Sequence, residues 1–294
     1  MHVGDDGTKS PHNAYGTLVA RSAPAHKPPA MPSDLFDTRL RALRRDRAAR
    51  RGAELFLYER AFDDCLDRLE LVRRSFQSAL LIGCPDPDWA NRLQNFAVKV
   101  DAFDPGPQFA KAARGARIVE DSFEPVPQHY DLCVAIGTLD TVNHLPRALK
   151  AIRAALAPDS FFLGALSGGD TLPQLRSAMR AADEVNGVAV PHVHPRIEPS
   201  MLTTLLSAAG FANPVVDVDR ASASYLHLGR LVADLRAMGA TNILADRSRQ
   251  PLSKGALRKA VDAFSAVGED GRTTETFEIL HFAAWTPASR MSAR

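Results

Sequence analysis

The sequence has 294 residues, with 36 Lys and Arg against 34 Asp and Glu, a formal net charge of +2, and 45% hydrophobic residues. Such a chain can bury one large core or two small ones. Its balanced charge gives no bulk electrostatic reason to expect a nucleic-acid partner, and no run reaches the ~18 apolar residues that would predict membrane insertion.

No signal-peptide core is seen at the N-terminus. The three cysteines, Cys65, Cys84 and Cys133, are odd in number and lack metal spacing, so unpaired thiols in a reducing, cytoplasmic setting are expected. Residues 1–33 are rich in Gly, Pro, Ser, His and Ala without a hydrophobic period, which reads as a disordered tail. Met31 directly precedes "PSDLFDTRLRALRRDRAARR", so the start is either Met1 or Met31; the intact mass of native protein decides between them. Helices then occupy 34–75, a single domain 76–287, and a short tail 288–294.

The first helix, 37–51, "DTRLRALRRDRAARR", is densely basic. Such a helix can grip RNA or acidic lipid, but is more often a solvated face or one that pairs with acids of its own fold; the interleaved aromatics that favour RNA are absent. A second helix, 53–74, carries Leu55, Phe56, Phe62, Leu66, Leu69 and Val72 at near-helical spacing and predicts a cover packed on the main domain.

Strands are predicted at 78–83, 97–104, 116–121, 131–137 and 160–166, alternating with helices near 87–95, 107–113 and 145–156. Helices near 171–185 and 199–209, a strand at 213–219, helices near 227–238 and 255–266 and a closing strand at 276–285 complete the pattern. Short apolar runs separated by amphipathic helices make a doubly wound α/β domain, a mainly parallel sheet with helices on both faces.

In such sheets ligands bind outside the carboxyl ends of the strands. Asp104 closes the second strand; a carboxylate there suits the two hydroxyls of a ribose, or simply opens the turn "DPGP". Asp121 closes the third, where a carboxylate meets an adenine amino group. "SALLIGCPDPDWA", 78–90, starts as a buried strand ending on Gly83, but a phosphate- or cofactor-cradling glycine turn is replaced by Pro85, Asp86, Pro87 and Asp88. "DPDW" is a helix start, with Asp86 as N-cap and Pro87 in the first helical position. Asn143 and His144 either bind a substrate or cap the helix that follows. "VPHVHPRIEP", 190–199, offers His192, His194 and Glu198, but without zinc spacing it reads as a loop over the cleft rather than a metal site. "SGGDTL" either cradles an anion at the next helix or caps that helix itself through Asp170 or Thr171, and Asp170 favours the cap.

"LFDTRLRALRRDRAA", "TVNHLPRALKAIRAALAPDSFFLGALSGGDTLPQLR" and "DLRAMGATNILADR…PLSKGAL" resemble the class I S-adenosylmethionine-dependent methyltransferases. More narrowly they resemble the methyltransferase-like complex I assembly factors and their bacterial relatives, near the malonyl-carrier-protein methyltransferases of biotin synthesis. The resemblance runs from about Leu35 to Pro287. It implies a Rossmann-like seven-stranded sheet and S-adenosylmethionine as cofactor, with Gly83, Asp104 and Asp121 holding it and Asn143 or His144 positioning the acceptor. It also implies an alternative without methyl transfer: a factor that binds a respiratory-complex subunit as a scaffold, or hydroxylates one of its arginines. The departures are specific. Of the family's D-x-G-x-G-x-G only Gly83 remains in "LIGCPDPDW", and Thr141 stands where relatives have an aromatic in "LHWVNDLP". Asp86 and Asp88 place negative charge where the cofactor carboxylate would sit, which predicts weakened or lost cofactor binding.

Overall fold

The computed structural model describes residues 1–2 and 34–289, so nearly all of the expected N-terminal tail, Met31 included, and the last five residues lie outside it. The chain from Asp34 onward is one compact unit. Its elements are α1 (Thr38–Arg51), α2 (Phe56–Val72), β1 (Phe76–Ile82), α3 (Asp88–Leu93), β2 (Ala97–Asp104), α4 (Pro107–Ala112), β3 (Ala116–Arg117), β4 (Tyr130–Ile136) and α5 (Leu145–Ala155). Then follow β5 (Leu156–Ser167), α6 (Pro173–Asn186), α7 (Pro199–Ala208), β6 (Ala212–Tyr225), α8 (Leu228–Ala237), α9 (Lys254–Ala266) and β7 (Thr273–Trp285).

Among the described residues the strands form one seven-stranded sheet in the order β3-β2-β1-β4-β5-β7-β6. The first five are parallel, and β7 inserts antiparallel between β5 and β6. The expected doubly wound architecture is therefore the one observed. Its two faces are written in alternate residues of the central strands. Ala79 and Leu81 of β1, Val134 of β4 and Leu163 of β5 pack with Phe62, Leu69 and Trp89. Leu80, Ile82, Cys133 and Phe162 point the other way, toward Leu149 and Ile152 of α5 and Leu202 of α7. With both faces covered, the inner strands need apolar residues at every position, which is why they were legible as continuous runs. α2 packs on the first face through Phe62, Cys65 and Leu69, as its spacing predicts. No described helix is long and apolar enough to cross a membrane.

Three local expectations need correction. The third strand is two residues long, not six, because the chain leaves the sheet edge and turns through Glu120–Ser122. α3 starts at Asp88 with Pro87 in the cap position, one residue later than expected. Asp86 still serves the turn, its Oδ1 accepting the Asp88 N–H at 2.8 Å. Asp170 does not cap α6; the N–H groups of Gln174 and Leu175 instead donate to the fully buried Glu275 of β7, at 3.2 and 2.9 Å.

Candidate functional site

The register levels the ends of the inner strands. Ile82 pairs with Phe103 on one side and Ala135 on the other, so Gly83, Asp104 and Ile136 finish along one edge of the sheet. α1 lies across that edge. Asp37 starts it, accepting the Leu40 N–H at 2.8 Å, and spacing of four then sets Arg41 and Arg45 on its inner face. Both arginines are buried.

Asp104 is fully buried. Its Oδ1 accepts the Arg45 Nε–H at 2.8 Å and the Gly106 N–H at 2.7 Å. Its Oδ2 accepts the Arg45 Nη2–H and, at 3.0 Å, the Cys84 N–H. Four donors from within the chain thus saturate the carboxylate proposed for a ribose. Burial alone lowers the Arg45 pKa, but the Asp104 charge and hydrogen bonds reverse this and raise it above the ordinary arginine range. Arg41 repeats the arrangement one turn earlier: its Nη1 and Nη2 donate to the two oxygens of buried Glu120 at 2.8 and 2.9 Å, and Nη2 also donates to the Thr138 carbonyl at 2.7 Å.

The other sequence-nominated residues have internal partners as well. The Oδ2 and Oδ1 of Asp121 accept the backbone N–H groups of Asn143 and His144, at 3.0 and 2.7 Å, so the start of α5 is capped from a distant loop. Neither Asn143 nor His144 caps α5 with its own side chain. The Asn143 amide instead grips the backbone of Phe36, accepting its N–H at 2.7 Å and donating to its carbonyl at 3.0 Å, which anchors the entry to α1. The His144 side chain is on an exposed residue. Gly83 has φ +81, and a Cβ there would lie 2.2 Å from the Ile136 carbonyl oxygen, so strand packing by itself demands glycine. At Gly137, φ +59, a Cβ would meet the Tyr58 ring of α2 at 2.4 Å.

With α1 and Tyr58 in place, two small cavities lie beneath them at this edge, of about 60 and 50 Å³, and a larger one of about 510 Å³ opens on the far side of the Asp140–Arg196 pair, between Phe36, Val142 and Met201. Each of the two small ones has room for a water or two, far below the ~300 Å³ at which ligand pockets begin. Arg196 lines both of these and pairs with Asp140; Arg196 Nε and Asp140 Oδ1 are buried without a hydrogen-bond partner among the described residues. Sequence reading did not nominate Arg41, Glu120, Asp140 or Arg196, and it placed Arg45, with Arg44 and Arg47, on a partner-facing surface rather than in this site. The signal that existed for Arg41 and Arg45 was their i, i+4 spacing within the basic helix.

The 190–196 loop flanks this edge. His192 pairs with Asp183 at 2.8 Å, and His194 Nε2 accepts the Ile243 N–H at 2.9 Å, so the two rings have separate uses. Among the described residues no three His, Cys, Asp or Glu are placed to hold a metal ion. Burial, reinforced by the Arg196 charge, pulls His194 down to about 3. An unfolded histidine titrates near 6.5, so below that pH the unfolded chain binds a proton that the native protein refuses. Stability is therefore expected to fall as pH drops from about 6.5 toward 3, by up to about 1.4 kcal/mol per pH unit from this group. His194→Asn, whose amide oxygen can accept the same N–H, should flatten the profile. Parallel urea-midpoint curves for the two proteins between pH 7 and 5 would count against it.

A family model described as "Methyltransferase domain" matches residues 45–214. The mitochondrial arginine-hydroxylase NDUFAF5 of Mus musculus is 32% identical over 281 residues, covering 88% of this chain and 82% of that protein. Its Homo sapiens counterpart is 30% identical, with 88% and 81% covered. The malonyl-[acyl-carrier protein] O-methyltransferase of Xylella fastidiosa (strain M23) is 33% identical over 157 residues, 53% of this chain and 52% of that one. Among solved structures, a Bacillus halodurans C-125 protein described as a candidate methyltransferase superposes with TM-score 0.53 at 12% identity, covering 76% of this chain and 99% of its own, which is a likeness of fold.

Proposed function

The chain belongs to the methyltransferase-domain family, and from that premise we propose that it is a methyltransferase-like protein directed at a polypeptide, in which S-adenosylmethionine competes with the chain's own α1. The observation that carries this reading is the buried Arg45–Asp104 pair. In the arrangement described, the residues do not fit the cofactor: the ribose carboxylate is saturated, Glu120 is held by Arg41, Asp121 is a helix cap, and the two cavities beneath α1 and Tyr58 each have about a fifth of the volume at which ligand pockets begin. Gly83, Asp104 and Asp121 remain the anchors we assign to the cofactor, on condition that α1 withdraws from Asp104 and that Asp121 also releases the Asn143 and His144 N–H groups.

The polypeptide target rests on the relatives whose name specifies arginine as the residue acted on. In its finer form the target is a subunit of a respiratory complex. A cytoplasmic setting belongs to the same proposal and is supported by three buried, unpaired cysteines. The saturated carboxylate also favours a second reading, in which the chain serves its partner by binding alone.

Calorimetric titration of the full chain with S-adenosylmethionine and S-adenosylhomocysteine tests both. The competition reading expects weak binding by the wild type and at least tenfold tighter binding by Arg45→Met, about 1.4 kcal/mol. Uptake by neither folded protein would favour binding alone. Tight wild-type binding that Arg45→Met does not improve would overturn the competition.

A further inference from the structure

Away from the sheet edge, α6, α8, α9 and the 190–196 loop enclose a much larger cavity, of about 650 Å³. Its wall is aliphatic: Leu175 and Met179 of α6, Leu228 and Val232 of α8, Leu257 and Val261 of α9. Leu257 and Val261 are 50% and 36% exposed, so the apolar lining reaches the surface and forms a mouth. A cavity of this size and composition is within the range of small-molecule sites, and aliphatic walls hold water poorly.

The charged and titratable lining is one-sided. It comprises His192, His194, His227, Arg196 and Arg236, with no carboxylate. Three of these are committed elsewhere: His192 to Asp183, His194 to the Ile243 N–H and Arg196 to Asp140. Arg236 forms no ion pair among the described residues. Its charge reaches Arg44 of α1, which also feels Arg47 and Arg247; burial and these three charges together lower the Arg44 pKa. Arg44 Nε is buried without a hydrogen-bond partner, and among the described residues the carboxylate contact within this cluster is Arg247 to Asp37, at 3.6 Å. Arg236, without an ion-pair partner among the described residues, thus lines an aliphatic cavity, with the positive charge of Arg44 close behind it.

We infer that this cavity binds a single-chain amphiphile with an anionic head, the alkyl chain against Leu175, Met179 and Val232 and the head beside Arg236 and Arg44. The two features complement the two halves of such a molecule: apolar area for the chain and unpaired guanidinium donors for a carboxylate or phosphate. Arg44 belongs to α1, so the inference concerns the arrangement in which α1 covers the edge, and it rests on the proposed function only in that α1 stays in place when S-adenosylmethionine is absent.

The test is calorimetric titration of the full chain with decanoate and dodecanoate below their micelle concentrations, with decanol as the uncharged control and phosphatidylglycerol vesicles as a membrane control. Dodecanoate should bind about tenfold more tightly than decanoate, as two more buried methylenes require. Decanol should bind at least tenfold more weakly than decanoate. Val232→Trp, which fills the cavity, and Arg236→Glu, a change on an exposed side chain, should each weaken decanoate at least tenfold. Absence of a chain-length effect, equal binding of decanol, or unchanged affinity in Arg236→Glu would overturn the inference. So would flotation on vesicles without binding of either monomer, which would assign the arginines to a membrane surface.

Discussion

Arg45→Ala will lower the unfolding free energy by about 3–5 kcal/mol, seen as a shift in urea midpoint at nearly unchanged slope. Removing one partner of a buried ion pair strands the other, and Asp104 has no exposure through which water reaches it. The Cys84 and Gly106 N–H groups stay in place, but they do not neutralise the charge. The guanidinium also sits over the Phe109 ring, 5.2 Å from its centroid, so alanine removes packing as well. Arg47→Ala, on the exposed side of the same helix, should change stability by no more than about 0.5 kcal/mol. Replacing both partners, as Asp104→Asn with Arg45→Met, should recover part of the loss, since no charge is stranded, while the Asn amide can accept only one of the Cys84 and Gly106 N–H groups. If Arg45→Ala and Arg47→Ala unfold alike, the pair does not close this site. The contrast also divides the basic helix: its arginines are not one partner surface, because two of them belong to the interior.

Trp89→Ala is expected to cost about 3–5 kcal/mol, the range for deleting a buried aromatic side chain. Trp89 is 1% exposed and stacks on Phe62 of α2, with ring centroids 4.3 Å apart and planes 7° from parallel. Its Nε1–H donates to Glu59 at 2.8 Å, and Glu59 also accepts from Arg92 of α3 at 3.1 Å. Trp89 therefore ties the degenerate turn to the helix that covers the sheet. Trp89→Phe should retain the stack and lose mainly the hydrogen bond, about 1 kcal/mol. Chemical unfolding of the three proteins reads this order directly. A loss below about 1 kcal/mol in Trp89→Ala would mean that α3 does not depend on the stack.

The strands and helices were legible because their signals are local. Apolar runs such as "SALLIG" and "DLCVAIG" need only their own residues to announce strands buried on both faces, and Phe62 and Leu69 announce the inner face of α2. Boundaries failed where a strand had no neighbour to hold it. The segment 116–121 carries a strand-like pattern, yet on the sheet edge it yields after two residues, and Glu120 turns to meet Arg41.

The site was legible in part. The reading of the carboxyl edge as the place for chemistry came from topology, and the acids at 104 and 121 do stand there. Their partners were not readable. Arg45 is 59 residues from Asp104, and Arg41 is 79 residues from Glu120. α5 is capped by Asp121, and α6 by Glu275, 100 residues from the N–H group of Leu175. A short polar side chain near a helix start was the local candidate in both cases, and in both a distant carboxylate prevailed.

By itself, then, the sequence determined the alternation of elements, the two covered faces of the sheet and the loss of the glycine cradle at 84–88, all of which follow from periodicity and backbone chemistry within a few residues. Only the tertiary structure decided which charges meet. An ion pair forms between atoms that the fold brings within 3 Å, and a buried carboxylate must find a donor wherever the fold supplies one. Here it supplied Arg41 and Arg45 from the chain's own first helix.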